Sequence, residues 1–235
     1  YVFHLAAQSY PKASFELPLE TLETNILGTA KVLDAIKKLN QDPIIHVCAS
    51  SEVFGRVPKE FLPIHEDITF HPASPYAISK VGTDLIGRFY AEAYGMTVFA
   101  ESTFAKQIAM IEAGLQEPII KVGNLDSLRT WSDVRDAVRA YYMLVTQNPI
   151  AGEYYNIGGS FSCSVRDMLD YLISLSTRND ITVEIDPDRL RPIDADLQVP
   201  DTNKFKQHTG WQPEISFEQT MLDLLNYWRD NISSG

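Results

Sequence analysis

Apolar positions along the chain switch between short unbroken runs and stripes at helical spacing. Tyr1-Val2-Phe3-His4-Leu5-Ala6-Ala7 and Ile44-Ile45-His46-Val47-Cys48-Ala49 are the runs, both short, β-rich and free of Asp, Glu, Lys and Arg. Between them Leu22, Ile26, Val32, Leu33 and Ile36 recur with a helical period, and Leu19 and Leu39 extend the stripe. Strand, long helix and strand make a βαβ unit, which predicts a parallel sheet with both faces covered. Gln41-Asp42-Pro43 is the turn before the second strand. Ser50 then falls at that strand's carboxyl end, where open α/β sheets place their ligands.

Pro58, Pro63, Pro72 and Pro75 keep residues 55–75 in a loop. A helix is predicted from Tyr76 to Tyr94, stopped by Gly95, and another from Phe104 to about Glu112, closed by Gly114. Ile119–Val122 reads as a strand, Val134–Val145 as a helix, and Glu153–Ile157 as a strand ending at Gly158-Gly159. Helix Val165–Leu175, strand Ile181–Ile185 and a Pro- and Asp-rich segment from Asp186 to Asp201 follow. The last helix starts at Ser216, with Gln219 placed for a capping box and Phe217, Met221, Leu224, Leu225 and Trp228 as its buried stripe. The elements group into a core domain over residues 1–114 and a smaller one over 115–235, with an approximate, interleaved boundary.

Composition narrows the chemistry. Of 235 residues 45% are hydrophobic and 22% charged, an ordinary globular balance, and no run approaches the ~20 apolar residues of a membrane span. A net charge of −11 argues against a nucleic-acid partner, since that affinity rests on many Lys and Arg, yet a few placed arginines suffice for a diphosphate. Cys48 and Cys163 make no disulfide framework, which points to a reducing cytoplasm. The five histidines show no metal-ligand spacing, so no metal is expected. The opening inside an apolar run leads us to expect further sequence upstream.

Tyr76 and Lys80 lie four apart on a predicted helix and so share a face. Tyrosine titrates near pH 10, and use as a base near pH 7 requires a shift of about 3 units, or about 4 kcal/mol; a neighbouring ammonium supplies part of it. Chance alone gives roughly 0.5 such Tyr–Lys pairs in a chain of this composition. The pair gains weight because it lies about 25 residues past a serine at a strand end, and Ser50 could hold the same substrate oxygen.

Ser50, Tyr76 and Lys80, with His4-Leu5-Ala6-Ala7 upstream and Asn25-Ile26-Leu27-Gly28-Thr29 on the first helix, resemble the extended short-chain dehydrogenase/reductases across essentially the whole chain. The resemblance implies a Rossmann-like doubly wound parallel sheet in the α/β class, lacking its amino-terminal strands, with a smaller α/β carboxyl-terminal domain for a nucleotide-diphosphate sugar. It implies that Ser50 orients substrate, Tyr76 is the acid/base and Lys80 contacts the nicotinamide ribose. Ala6 and Ala7 would lie against the cofactor, NADP or alternatively NAD. Asn25 reads as a structural or water-holding residue.

Within that family the motifs are similar to the GDP-mannose 4,6-dehydratases. Ala6-Ala7-Gln8-Ser9 with Ser14-Phe15-Glu16, Ser50-Ser51-Glu52-Val53-Phe54-Gly55 and Pro72-Ala73-Ser74-Pro75-Tyr76-Ala77 follow their pattern. So do Gly123-Asn124-Leu125-Asp126-Ser127, Arg129, Trp131, Arg191-Pro192, Asp194, Asp196-Leu197 and Asp201. Ser50 stands where threonine is common, Thr130 where aspartate is expected, and Asp194 in place of glutamate. This resemblance implies substrate contacts from Ser9, Ser51, Arg129, Arg191 and Asp194, with Lys106 a weaker phosphate candidate. A homodimer or homotetramer built on helices 19–39 and 76–94 is implied as well.

Glu52 separates the possible reactions. Ser50, Tyr76 and Lys80 suffice for hydride transfer at a carbinol carbon, whereas a 4,6-dehydratase also needs a carboxylate to take the C5 proton and return it to the leaving C6 hydroxyl. On an extended backbone Glu52 would point to the same side as Ser50; the plain alternative is a carboxylate that caps the next turn. A GDP-4-keto-6-deoxymannose reductase is the runner-up, favoured by Phe104-Ala105-Lys106-Gln107 and Gln116–Asn124. A 4-epimerase, or a non-catalytic truncated binding subunit, are the other readings.

No glycine-rich GxxGxxG or GxGxxG turn for a pyrophosphate occurs in the chain, so at least two βα units of about 30 residues each are expected to be lacking. After Tyr94-Gly95-Met96 only Thr97-Val98-Phe99 precedes the next helix, where the family has a strand and a substrate loop. Either that loop is lost or the sequence joins separate segments.

Overall fold

A computed structural model describes residues 1–39, 41–94, 107–190 and 196–233. Strand β1 (Val2–His4) pairs in parallel with β2 (Ile45–Val47), with Val2 opposite Ile45 and His4 opposite Val47. The return path between them is α1 (Pro11–Glu16), α2 (Pro18–Leu22) and α3 (Gly28–Lys38), with a π-helical turn at Glu23–Leu27 joining the last two. The buried positions of this helical run are Ser14, Thr21, Asn25, Thr29, Leu33 and Ile36, while Leu19 is 80% and Leu39 67% exposed. The inward stripe is therefore polar over its first half. Of the apolar stripe expected, Leu33 and Ile36 are buried and Leu22, Ile26 and Val32 half-buried, and only its extensions Leu19 and Leu39 face outward. The extra residue of a π turn shifts the phase of the side chains, and hydroxyls and an amide face the next helix there.

That next helix is α4 (Pro75–Tyr94), which packs across α2, the π turn and α3. The approach is close at Gly82, where a β-carbon would lie 2.6 Å from Ile26 Cδ1. Between β2 and α4 the chain makes a 3-10 turn at Ser51–Phe54 and then the proline-rich loop. Gly55 closes the turn with φ 58°, and a β-carbon there would fall 1.7 Å from the carbonyl oxygen of His71.

The remainder begins with α5 (Gln107–Glu112), β3 (Ile119–Val122), β4 (Leu128–Trp131) and α6 (Val134–Thr146). It continues through β5 (Phe161–Ser164), α7 (Val165–Ser174), β6 (Thr182–Ile185), β7 (Leu197–Gln198), α8 (Asn203–Thr209) and α9 (Phe217–Ser233). β3 pairs with β6 in parallel; β4 lies between antiparallel β5 and parallel β7. The expected strand at Glu153–Ile157 is absent. Asn156 is tied to the proline-rich loop instead, its N–H donating to Glu66 Oε1 at 2.8 Å and its side-chain Nδ2 to the Ile64 carbonyl at 2.8 Å. At α9 the serine half of the capping box forms, Gln219 N–H to Ser216 Oγ at 3.2 Å, but the Gln219 amide donates forward to Asp223.

Leu33, Ile36, Ile45 and Val47 pack together around the first sheet. Ile111, Ile120, Met168, Leu172, Met221 and Leu225 form a separate cluster, each fully buried side chain of this size stabilising by roughly 1.5–3 kcal/mol. Within the second cluster α5 packs on α9, and the first sheet is reached from α6, where Tyr141 stacks on His46 of β2 with ring centroids 4.2 Å apart. Among the described residues no helix is long and apolar enough to cross a membrane, and no group of three or more His, Cys, Asp and Glu could hold a metal.

Candidate active site

The candidate site forms where β2 ends against the first turns of α4. The alternation of β2 leaves Cys48 and Ser50 beyond its last paired residue, and Ser50 keeps an extended backbone (φ −166°, ψ 147°). Chain direction then changes. Ser50 Oγ accepts the Glu52 N–H at 3.3 Å and Gly55 N–H donates to the Glu52 carbonyl at 3.1 Å, so Glu52 lies inside the 3-10 turn. The expectation that strand alternation aims Glu52 beside Ser50 is corrected: the turn, not a pleat, sets its position, and Gly55 is what allows that turn to close. A hydroxyl that accepts one bond still keeps a proton to donate, so capping does not exhaust Ser50.

Tyr76 and Lys80 occupy the first turns of α4, four residues apart as the helical period requires, and are each 3% exposed. Lys80 Nζ lies 5.9 Å from the centroid of the Tyr76 ring and donates to the Cys48 carbonyl at 2.7 Å. Burial lowers its pKa from the ordinary 10.5. β2 and α4 thus meet through a lysine whose ammonium keeps further donors.

Behind the lysine lies a polar hub built on Asn25. Its Oδ1 accepts the Gln8 N–H at 2.7 Å, and its Nδ2 donates to the Gln8 carbonyl at 3.0 Å and to Ser79 Oγ at 2.8 Å. The Asn25 carbonyl accepts the hydroxyls of Thr29 at 2.6 Å and Thr83 at 3.1 Å. This carbonyl lies in the π turn, where the regular helical ladder is interrupted. His4 Nε2 meets Thr29 Oγ1 at 3.1 Å, and burial, with the Lys80 charge second, lowers the His4 pKa. His4, Ala6, Ala7, Asn25, Cys48 and Lys80 line a small recess over this hub.

Of the remaining predicted residues, Ala6, Ser9 and Ser51 are exposed and Ala7 half-buried, all on the rims of these segments. Arg129 sits on β4 opposite Cys163 and Gln198, with Nη1 3.3 Å from the Leu128 carbonyl; it is not among the residues of the recess. Arg191, Asp194 and Lys106 lie outside the described residues. Two participants were not singled out by sequence reasoning. Ser14 is 0% exposed and its Oγ accepts the Tyr76 N–H at 3.0 Å, and Ser79 links Asn25 to the Tyr76 carbonyl. Only the serine of the Ser14-Phe15-Glu16 motif carried any signal.

A parallel βαβ core with a serine just past its second strand, followed by a helix carrying a buried Tyr–Lys pair, defines a Rossmann-like protein of the short-chain dehydrogenase/reductase class. The chain belongs to the GDP-mannose 4,6 dehydratase family, whose family model matches residues 1–224. It is 29% identical to the GDP-6-deoxy-D-mannose reductase of Pseudomonas aeruginosa, over 98% of this chain and 81% of the relative. It is 26% identical to the GDP-mannose 4,6-dehydratase of Yersinia enterocolitica, over 95% of this chain and 71% of the relative. The solved structure of RMD from Pseudomonas aeruginosa, complexed with NADPH, superposes with a TM-score of 0.86 at 28% identity, over 97% of this chain and 81% of that one.

The recess as it stands is too small to enclose a nicotinamide ring; what suits the nicotinamide-ribose end of such a dinucleotide is the chemistry of its lining. Ala6 and Ala7 offer small apolar contacts that a flat ring accepts, and the Lys80 ammonium offers donors suited to ribose hydroxyls. The sequence contains no glycine-rich turn of the kind that binds a pyrophosphate.

Proposed function

We propose that the protein is a nucleotide-sugar 4,6-dehydratase that converts GDP-mannose to GDP-4-keto-6-deoxymannose, with NADP, or NAD, held by Lys80, Tyr76, Ala6 and Ala7. The observation that carries this reading is Glu52, tied by its own N–H to Ser50 Oγ on the turn that packs against α4. When bound, the nicotinamide would accept the C4 hydride and later donate one at C6. Tyr76 takes the proton of the C4 hydroxyl, with the Lys80 ammonium favouring the phenolate and Ser50 donating to the same oxygen. The C4 ketone acidifies the C5 hydrogen. Glu52 removes that proton and, now a carboxylic acid, delivers it to the C6 hydroxyl, which leaves as water. Hydride return at C6 also needs a proton at C5, which Glu52 supplies after taking one from solvent, while Tyr76 releases to solvent the proton it took from the C4 hydroxyl. Ser9, Ser51, Arg129, Arg191 and Asp194 are assigned to the nucleotide sugar, the guanidinium forks matching diphosphate oxygens.

A GDP-4-keto-6-deoxymannose reductase is the second reading, favoured by the reductase relative at 29% identity over 98% of the chain. The two differ in what they consume. Incubation of full-length protein with GDP-mannose and NADP yields a 4-keto-6-deoxy sugar under the first reading. Oxidation of NADPH only when the 4-keto-6-deoxy sugar is supplied establishes the second, and no turnover of any nucleotide hexose removes both in favour of a binding subunit. Glu52→Gln is expected to accumulate reduced cofactor without releasing dehydrated sugar, whereas Tyr76→Phe stops before any hydride moves. The same reading places the protein in the cytoplasm as a homodimer or homotetramer.

A further inference from the structure

We propose that Ser14 is a positioning residue for Tyr76, fixing the tyrosine's backbone to α1. The inference rests on the reading of Tyr76 as the acid/base. The first amides of a helix have no partner inside it and must be satisfied from outside. In α4, Pro75 has no N–H. The Ala77 N–H goes to Ser74 Oγ at 3.0 Å, and the Ile78 N–H to the Ser74 carbonyl at 2.9 Å. Both of these are local. The Tyr76 N–H goes instead to Ser14 Oγ at 3.0 Å, across 62 residues of sequence.

The orientation of that hydroxyl is determined. Ser14 Oγ donates its single proton to the Pro11 carbonyl at 2.6 Å, so it can meet the Tyr76 N–H only as acceptor. Ser14 is the buried residue of α1 and is 0% exposed, so water cannot replace it. The Tyr76 carbonyl is held as well, by the Ser79 hydroxyl at 2.7 Å, and Ser79 in turn accepts from Asn25. Both backbone groups of Tyr76 are therefore pinned, one by α1 and one by the hub that also binds Gln8. A small displacement of Tyr76 relative to Lys80 and to substrate lowers the rate far more than it lowers binding.

Ser14→Ala is expected to lower kcat about 10- to 100-fold with KM for the nucleotide sugar changed by less than about twofold. It is also expected to raise the pH at which the acidic limb of the rate profile falls, and to accelerate deuterium exchange at the Tyr76 amide. Thr21→Val, which removes another buried hydroxyl bonded within its own helix (to the Leu17 carbonyl), serves as the control for general loosening. Should Ser14→Ala not fold, Ser14→Cys keeps a weaker acceptor of similar size, with an intermediate kcat and intermediate amide protection expected. Unchanged kcat and unchanged Tyr76 amide protection overturn the proposal, as does a loss of kcat that Thr21→Val reproduces without a shift in the pH profile. Tyr76→Phe separates the two levels. If it retains activity, the reading of Tyr76 fails; if it is inactive while Ser14→Ala behaves as wild type, only the role of Ser14 fails.

Discussion

The ammonium of Lys80, on the second turn of α4, donates a 2.7 Å hydrogen bond to the carbonyl of Cys48, two residues before Ser50. One bond therefore joins the helix that carries the Tyr–Lys pair to the strand end that carries the serine. Burial holds the Lys80 pKa below 10.5, so the folded protein gives up this proton at a lower pH than the unfolded chain does. The destabilising cost of the buried charge is present at neutral pH and is relieved as pH rises from the lowered pKa towards 10.5. Lys80→Met is expected to reduce kcat/KM roughly 100- to 10,000-fold while leaving stability within about 1 kcal/mol of wild type, because a costly buried charge is removed along with its bond. Steady-state kinetics and urea unfolding on the same preparation test this; a large loss of stability would make Lys80 a structural residue.

Asn25 is expected to matter for stability as much as for catalysis. Asn25→Leu leaves the Gln8 N–H and carbonyl without their side-chain partner in a site that is 1% exposed. Leaving such groups unsatisfied costs roughly 2–4 kcal/mol in total. Equilibrium denaturation measures it, and a change below about 1 kcal/mol would show that the loop re-pairs elsewhere.

Acid should weaken the fold in two stages. His46 is 0% exposed and burial lowers its pKa from 6.5 to about 3. The unfolded chain takes up that proton in a range where the folded protein resists it, so stability falls as pH drops from 6.5 towards 3. Glu112 accepts from Arg229 at 2.6 and 2.8 Å, and these bonds, against burial, bring its pKa from 4.5 to about 2. Its contribution is present above pH 4.5 and is lost as pH falls towards 2. Urea midpoints measured across pH should decline gently below 6.5 and steeply below 4.5. His46→Phe should remove the first decline; an unaltered profile in that variant would assign it to another group.

Helix α4 carries Ile78, Leu85 and Phe89 at spacings of seven and four, each about half exposed, and α2 and the π turn carry exposed Leu19 and Leu27. An apolar stripe of this kind suits a helix-to-helix interface between two copies. Sedimentation of the wild type is expected to give a dimer or tetramer, and Phe89→Glu to shift it towards monomer. A monomeric wild type at micromolar concentration would remove this surface from the account.

What was legible in the sequence is what local periodicity carries. The runs at Val2–His4 and Ile45–Val47, the helix at Pro75–Tyr94 and the i, i+4 relation of Tyr76 to Lys80 follow from side-chain spacing within one element. Tertiary structure decided the rest. Glu52 sits in a 3-10 turn because Gly55 can take a positive φ beneath His71, which no pattern around Ser50 announces. The polar stripe Thr21–Asn25–Thr29 faces inward because α4 supplies partners that hydrophobic spacing cannot register. Residues 153–157 pass up a strand ladder because Glu66 and Ile64, about ninety positions earlier, satisfy Asn156. Ser14 stood in a motif, but its role was not legible for the same reason: a small hydroxyl has no period, and its partner is an amide 62 residues away.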